Sequence, residues 1–110
     1  MSCDENLTKR VRRELEGQKA IAEIRMFGGL CFALRGHMIV GVLKDELMVR
    51  LPKEDDEEIL KEPFVRPMDF TGRRMRGLYF VRPAGLKTRS ALKEWIGRCA
   101  AYVARLPPKV

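Results

Sequence analysis

The sequence predicts an α+β fold: a mainly antiparallel sheet of about five strands, flanked by an N-terminal and a C-terminal helix. Three observations carry that prediction. Short apolar runs at 30–34, 38–43 and 47–51 are separated by tight turns, which describes an antiparallel meander. Apolar residues at helical spacing open the chain and close it. The order between them is strands, a short helix, then strands again, with no regular strand–helix alternation.

Asp4 is placed to cap a first helix, whose apolar face is Leu7, Val11 and Leu15 at i, i+4 and i+8. Gly17 suits its C-terminal end. From Ala22 to Phe27 the helical spacing is gone; Ile24 and Met26 alternate with Arg25 and Phe27, a strand ended by Gly28-Gly29. Gly36-His37 turns the first apolar run into the second, and Lys44-Asp45-Glu46 turns the second into the third. Both alternating positions of the first two runs are largely apolar, so helices are expected on both faces of the sheet. Pro52 and the acidic stretch Glu54 to Glu58 suit the first turn of a short helix, where carboxylates meet the positive end of the dipole. Pro63 stops it. Met68 to Phe70, a Thr71-Gly72 connection and Gly77 to Arg82 read as strand, turn and strand. The last helix starts near Thr88 or Ser90, buries Leu92, Trp95, Ile96, Cys99, Val103 and Leu106, and ends at Pro107-Pro108.

The 110 residues suit one domain spanning 1–110, large enough for an ordinary core without metals or staples. No apolar run approaches the roughly 20 residues of a membrane span, and residues 1–13 lack a secretory signal. Three cysteines without a C-x-x-C pair argue against a disulfide framework and for a reducing, cytoplasmic setting. The net charge of +7 is unevenly spread: residues 63–110 hold eleven basic and two acidic side chains, so they alone carry +9. That asymmetry favours anionic partners, whether nucleic acid, nucleotide or an acidic protein face.

Groups that do chemistry are scarce. His37 is the single histidine and falls in an expected turn, where a solvated side chain is the simpler reading than a general base. No Cys/His spacing matches a metal site. Cys31 and Cys99 fall at core positions and Cys3 near the exposed terminus, with nothing beside it to lower its pKa. The acidic run 54–58 has a structural reason at a helix start, which outweighs a magnesium site. Gly28-Gly29 follows a strand but opens another strand, so it lacks the context of a phosphate-binding loop; a bulge or close backbone approach explains it. No serine stands in a nucleophile-elbow pattern. The expectation is a binding or regulatory module, with no catalytic residue, metal or cofactor.

One constellation remains: Arg66, Arg73, Arg74, Arg76 and Arg82, interleaved with Phe64, Phe70, Tyr79 and Phe80. Guanidinium forks suit bidentate contact with phosphate or carboxylate, and their planes stack on bases. This is the candidate anion or nucleic-acid site, with Arg73 and Arg74 presented at the Gly72 turn. The alternative is a solvated basic edge that deters aggregation while the aromatics fill the core.

At these residues the chain resembles the TfoX N-terminal domain family of TfoX/Sxy competence regulators. The segments are R-M-F-G-G at 25–29, Gly36 with Gly41-Val42, L-M-V-R at 47–50, R-P-M-D-F-T-G-R at 66–73, Gly77, Trp95 and L-P-P-K at 106–109. They span most of the chain. The resemblance implies an antiparallel sheet flanked by helices, a stand-alone first domain of a two-domain type, and transcription regulation of DNA-uptake genes alongside a cyclic-AMP receptor protein. It implies no catalytic residue. Three readings follow: a regulatory module binding a protein partner, direct nucleic-acid binding through 66–82, and an enzyme of unknown class built around His37. No membrane partner is expected, and the long last helix offers a surface for a homodimer.

Overall fold

Asp4 opens α1 (Glu5–Glu14) as a true cap: its Oδ1 accepts the Leu7 N–H at 2.9 Å, while its own N–H donates to the Lys44 carbonyl at 2.7 Å. The first bond satisfies an orphan donor of the helix, and the second fixes the helix start against the sheet. The computed structural model describes residues 4–18, 21–26, 28–70 and 73–106, without the side chains of Met26, Asp69, Phe70, Arg73, Arg74 and Met75. Cys3, Phe27, the Thr71-Gly72 turn and Pro107-Pro108 lie outside the described residues.

The meander is present, and the sheet has six strands where about five were expected. They are β1 (Ile21–Met26), β2 (Gly29–Leu34), β3 (His37–Leu43), β4 (Glu46–Arg50), β5 (Val65–Phe70) and β6 (Arg73–Val81), in the order β1-β2-β3-β4-β6-β5. Every neighbouring pair is antiparallel. The chain leaves the sheet after β4 for a 3-10 turn (Lys53–Asp55) and α2 (Asp56–Leu60). It returns at the edge with β5 and slots β6 between β5 and β4. Pro67 tolerates this because β5 is an edge strand, where a missing ladder donor costs least.

The β2–β3 loop is Arg35-Gly36, with φ of 51° and 84°, the pair of positive values that a type I′ hairpin requires. The turn therefore falls one residue earlier than the sequence suggests. His37 pairs with Leu34 as the first ladder residue of β3 and is 7% exposed, buried where a solvated side chain was expected.

Helices on both faces were expected, and that expectation is corrected. The large core joins Leu7, Val11 and Leu15 of α1, Ile59 of α2, and Leu92, Ile96 and Val103 of α3 (Arg89–Ala104) to Phe32, Val40, Leu47 and Val49 of the sheet. A second, smaller cluster on the other face consists of Cys31, Met48, Met68 and Phe80, all from strands. Its residues are at most 3% exposed, yet no described helix contributes to it. Register shifts lie between Phe32 and Ala33 and between Pro67 and Asp69. Such irregularities bend and twist the strands that carry them, which brings side chains of one face together without a covering helix. The apolar alternation of β2 and β3 thus reflects self-packing of that face.

At the far end Thr88 caps α3, its Oγ1 accepting the Ala91 N–H at 3.0 Å. Arg89 pairs with Glu14 at 2.9 Å, and Arg10 donates to the Leu86 carbonyl at 2.5 Å, so α1 and α3 are tied together over the large core. No helix among the described residues is long and apolar enough to cross a membrane.

Candidate functional site

Of the five arginines singled out from the sequence, Arg66, Arg76 and Arg82 have described side chains, and their surroundings differ. Arg66 is committed within the fold: its Nε and Nη2 donate to Glu46 at 3.0 and 2.6 Å, and its guanidinium lies 4.4 Å from the centre of the Phe80 ring. Phe80 stands opposite Arg66 on β6 and opposite Met48 on β4, so this fork spans β6 from the edge strand to β4. Arg73 and Arg74 begin β6, and their side chains lie outside those described. Arg76 is exposed beside Gly77, whose φ of 89° breaks the strand's alternation. Arg82 is exposed just past β6, and its N–H donates to the Phe64 carbonyl at 2.8 Å.

Two further features mark the described surface. The first is a cavity of about 450 Å3 bordered by strands of the sheet and by Tyr102 of α3. Ile24, Cys31, Ala33, Met38 and Leu78 form apolar walls, while Arg50, Lys53, Arg76 and Tyr102 supply the polar groups. Arg50 is held 5.9 Å from the Tyr102 ring, with only a long 3.5 Å approach to the Met38 carbonyl. The second is Phe64, an aromatic side chain 47% exposed, held at a φ of 68°. That conformation is unusual for a bulky residue and signals a position whose surroundings over-determine it. Phe64 lies over Gly85, where an added Cβ would come within 3.0 Å of the Phe64 Cβ, and shares a groove of about 300 Å3 with Trp95.

The reactive groups sit elsewhere. Burial pushes the Cys99 thiol up to about 12 and raises that of Cys31, so neither offers a thiolate near neutral pH. The acidic residues of 54–58 occupy the 3-10 turn and the first turn of α2, and Asp56 is turned inward to accept a 2.6 Å hydrogen bond from Tyr79. No cluster of three or more potential metal ligands occurs among the described residues. Gly28 takes a φ of 77°, and a Cβ at Gly29 would run into the Val42 carbonyl oxygen; the pair serves close backbone approach.

The model of the TfoX N-terminal domain matches residues 13–102, most of the chain and every strand of the sheet. The chain belongs to the TfoX N-terminal domain family. No curated protein and no solved structure shows significant similarity to it. Within this TfoX N-terminal domain, Arg50, Lys53, Tyr102 and the conformation of Phe64 escaped the sequence reading. Arg50 and Tyr102 are brought together from β4 and α3 by the fold alone, and a positive φ at phenylalanine has no sequence signature.

Proposed function

We propose that this TfoX N-terminal domain is a non-catalytic regulatory module that acts by binding a protein partner, and that Phe64 is the centre of the contact. The observation that carries the reading is Phe64 itself: a half-exposed aromatic ring in a strained backbone conformation, beside an open groove. Aromatic anchors of this kind dominate protein interfaces. Exposed Arg82 and Lys87 stand near it and exposed Glu94 lines the same groove, so the complementary partner offers an apolar side chain bordered by charges of both signs. Family membership supports a regulatory role in the manner of TfoX-type transcription regulators.

A photo-crosslinking residue, p-benzoylphenylalanine, placed at position 64 in the native host cell tests this directly. The expected result is a discrete protein adduct that is lost when Arg82→Glu and Lys87→Glu are added. Adducts no different from those obtained at the exposed Glu57 position would remove Phe64 from the interface. Direct DNA binding is separated by anisotropy titration at about 50 and 200 mM salt, where each phosphate contact contributes about −0.9 to the log–log slope. Arg66 is engaged by Glu46, and the protein-partner reading expects no submicromolar binding even at low salt. Tight binding that collapses with salt would overturn the protein-partner reading in favour of the basic 66–82 segment.

A further inference from the structure

The cavity beside Arg50 and Tyr102 has a composition that partner docking at Phe64 leaves unexplained. Its volume of about 450 Å3 falls within the range of about 300–1,000 Å3 in which small molecules are held. Three cations, Arg50, Lys53 and Arg76, line it, and no carboxylate does. Neither Arg50, Lys53 nor Arg76 forms an ion pair among the described residues, although five other ion pairs are made. Lys53 and Arg76 also border a neighbouring groove with Glu54, Asp56, Glu57 and Glu58, though neither forms an ion pair there among the described residues. The opposite wall is apolar, and Ile24 on it is 46% exposed, one of two large apolar side chains left so open among the described residues.

Positive charge with no carboxylate in the cavity's own lining, beside bare apolar surface, specifies a ligand with the inverse polarity. We propose that this cavity binds a small amphipathic anion: a carboxylate or phosphate monoester carrying an aliphatic or aromatic body. The head group is received by Arg50, Lys53 and Arg76, with Tyr102 in the same lining, and the body lies along Ile24, Ala33, Met38 and Leu78. Guanidinium forks favour planar oxyanions, and each charge-assisted hydrogen bond is stronger than a neutral one. Gly77 is part of the lining: its carbonyl accepts the Leu51 N–H at 3.0 Å, and a Cβ there would press on the Leu51 carbonyl oxygen and Lys53 Cγ at 3.3 Å. This site is separate from the Phe64 surface and stands or falls without it.

Calorimetric titration of the intact chain with decanoate, decyl phosphate, decanol, acetate and inorganic phosphate tests the assignment, with amide chemical shifts locating the site. Decanoate or decyl phosphate is expected to bind with a dissociation constant of tens to hundreds of micromolar, as ligand-efficiency limits allow for so few atoms. Decanol should bind at least about tenfold more weakly, since it forfeits the charge-assisted contacts. Acetate and phosphate should show no binding at millimolar concentration. The better of the two anions distinguishes a carboxylate from a phosphate ligand. Shifts should concentrate at Ile24, Ala33, Met38, Leu78 and Tyr102. Lys53→Gln with Arg76→Gln, both at exposed positions, should weaken binding about tenfold while leaving the circular dichroism spectrum unchanged. Equal affinity for decanol, shifts centred outside these residues, or no binding of either anion at 1 mM would each overturn the proposal.

Discussion

Tyr79 donates a hydrogen bond of 2.6 Å from its hydroxyl to Asp56 Oδ1, and both residues are buried, at 0% and 6% exposure. The contact ties the central strand β6 to the first residue of α2, twenty-three positions away. Removing the hydroxyl with Tyr79→Phe deprives a buried carboxylate of a donor. The expected loss is about 1–3 kcal/mol, the desolvation penalty of an under-satisfied buried group. Replacing both partners, as Tyr79→Phe with Asp56→Leu, should cost less than the sum of the single changes. Urea unfolding of the three variants, with equal slopes, measures it; additive losses would show that the two groups are not coupled.

The Arg66–Glu46 fork predicts that Arg66 serves stability. Its side chain is 36% exposed and that of Glu46 16%, so the pair lies between the surface and interior regimes. Arg66→Ala leaves Glu46 unpaired and uncovers Phe80, with an expected loss of about 1–2 kcal/mol after allowing for solvent screening. Arg66→Lys should recover only part, because an ammonium neither forms the fork nor stacks on Phe80 in the same way. A midpoint for Arg66→Ala indistinguishable from the parent would mean that the fork is an idle surface pair.

Glycines at two positions of the sheet differ in what surrounds them. An added Cβ at Gly29 would meet the Val42 carbonyl oxygen, which is backbone and cannot retreat without breaking the β2–β3 ladder. At Gly41 the nearest atom is the Met48 Cε at 2.8 Å, the free end of a flexible side chain. Gly29→Ala is therefore expected to cost about 3 kcal/mol, at the upper end of overpacking, and Gly41→Ala about 1 kcal/mol. The ratio of the two in thermal or urea unfolding is the check; a milder effect at Gly29 would show that the β2–β3 approach is looser than it is drawn.

Much of this fold is legible because its determinants are local. Asp4, Thr88 and the spacing of Leu92, Trp95, Ile96 and Cys99 announce helices through caps and period, and the meander is written in short runs and turns. The misreadings have non-local causes. The strand β5 starts at Val65 and not at Met68, since its edge position excuses Pro67, and only pairing with β6 makes it an edge. Apolar alternation in β2 and β3 pointed to helices on both faces, whereas Cys31 packs with Met48, Met68 and Phe80 from distant strands. The candidate site divides similarly. Nothing local distinguishes Arg66, which finds Glu46 across a strand, from Arg76, which opens on a cavity shared with β1, β3 and α3.

Cys99 makes the fold sensitive to alkaline pH. Burial raises its thiol from 9.0 to about 12, so the folded chain keeps this proton at pH values where the unfolded chain has released it. Between about pH 9 and 12 the folded state binds more protons than the unfolded one, and stability must fall as pH rises through that window. Below pH 9 both states are protonated and the thiol contributes its full packing. Cys99→Ala removes the titrating group at the expense of a cavity among Leu92, Ile96 and Val103. The variant should be less stable than the parent at pH 7, by about 1–2 kcal/mol, but should lose less on going from pH 8 to pH 10.5. Urea midpoints for both proteins at the two pH values decide the matter. Parallel declines would place the alkaline sensitivity in other groups, such as the Cys31 thiol that burial also raises, and leave Cys99 a packing residue alone.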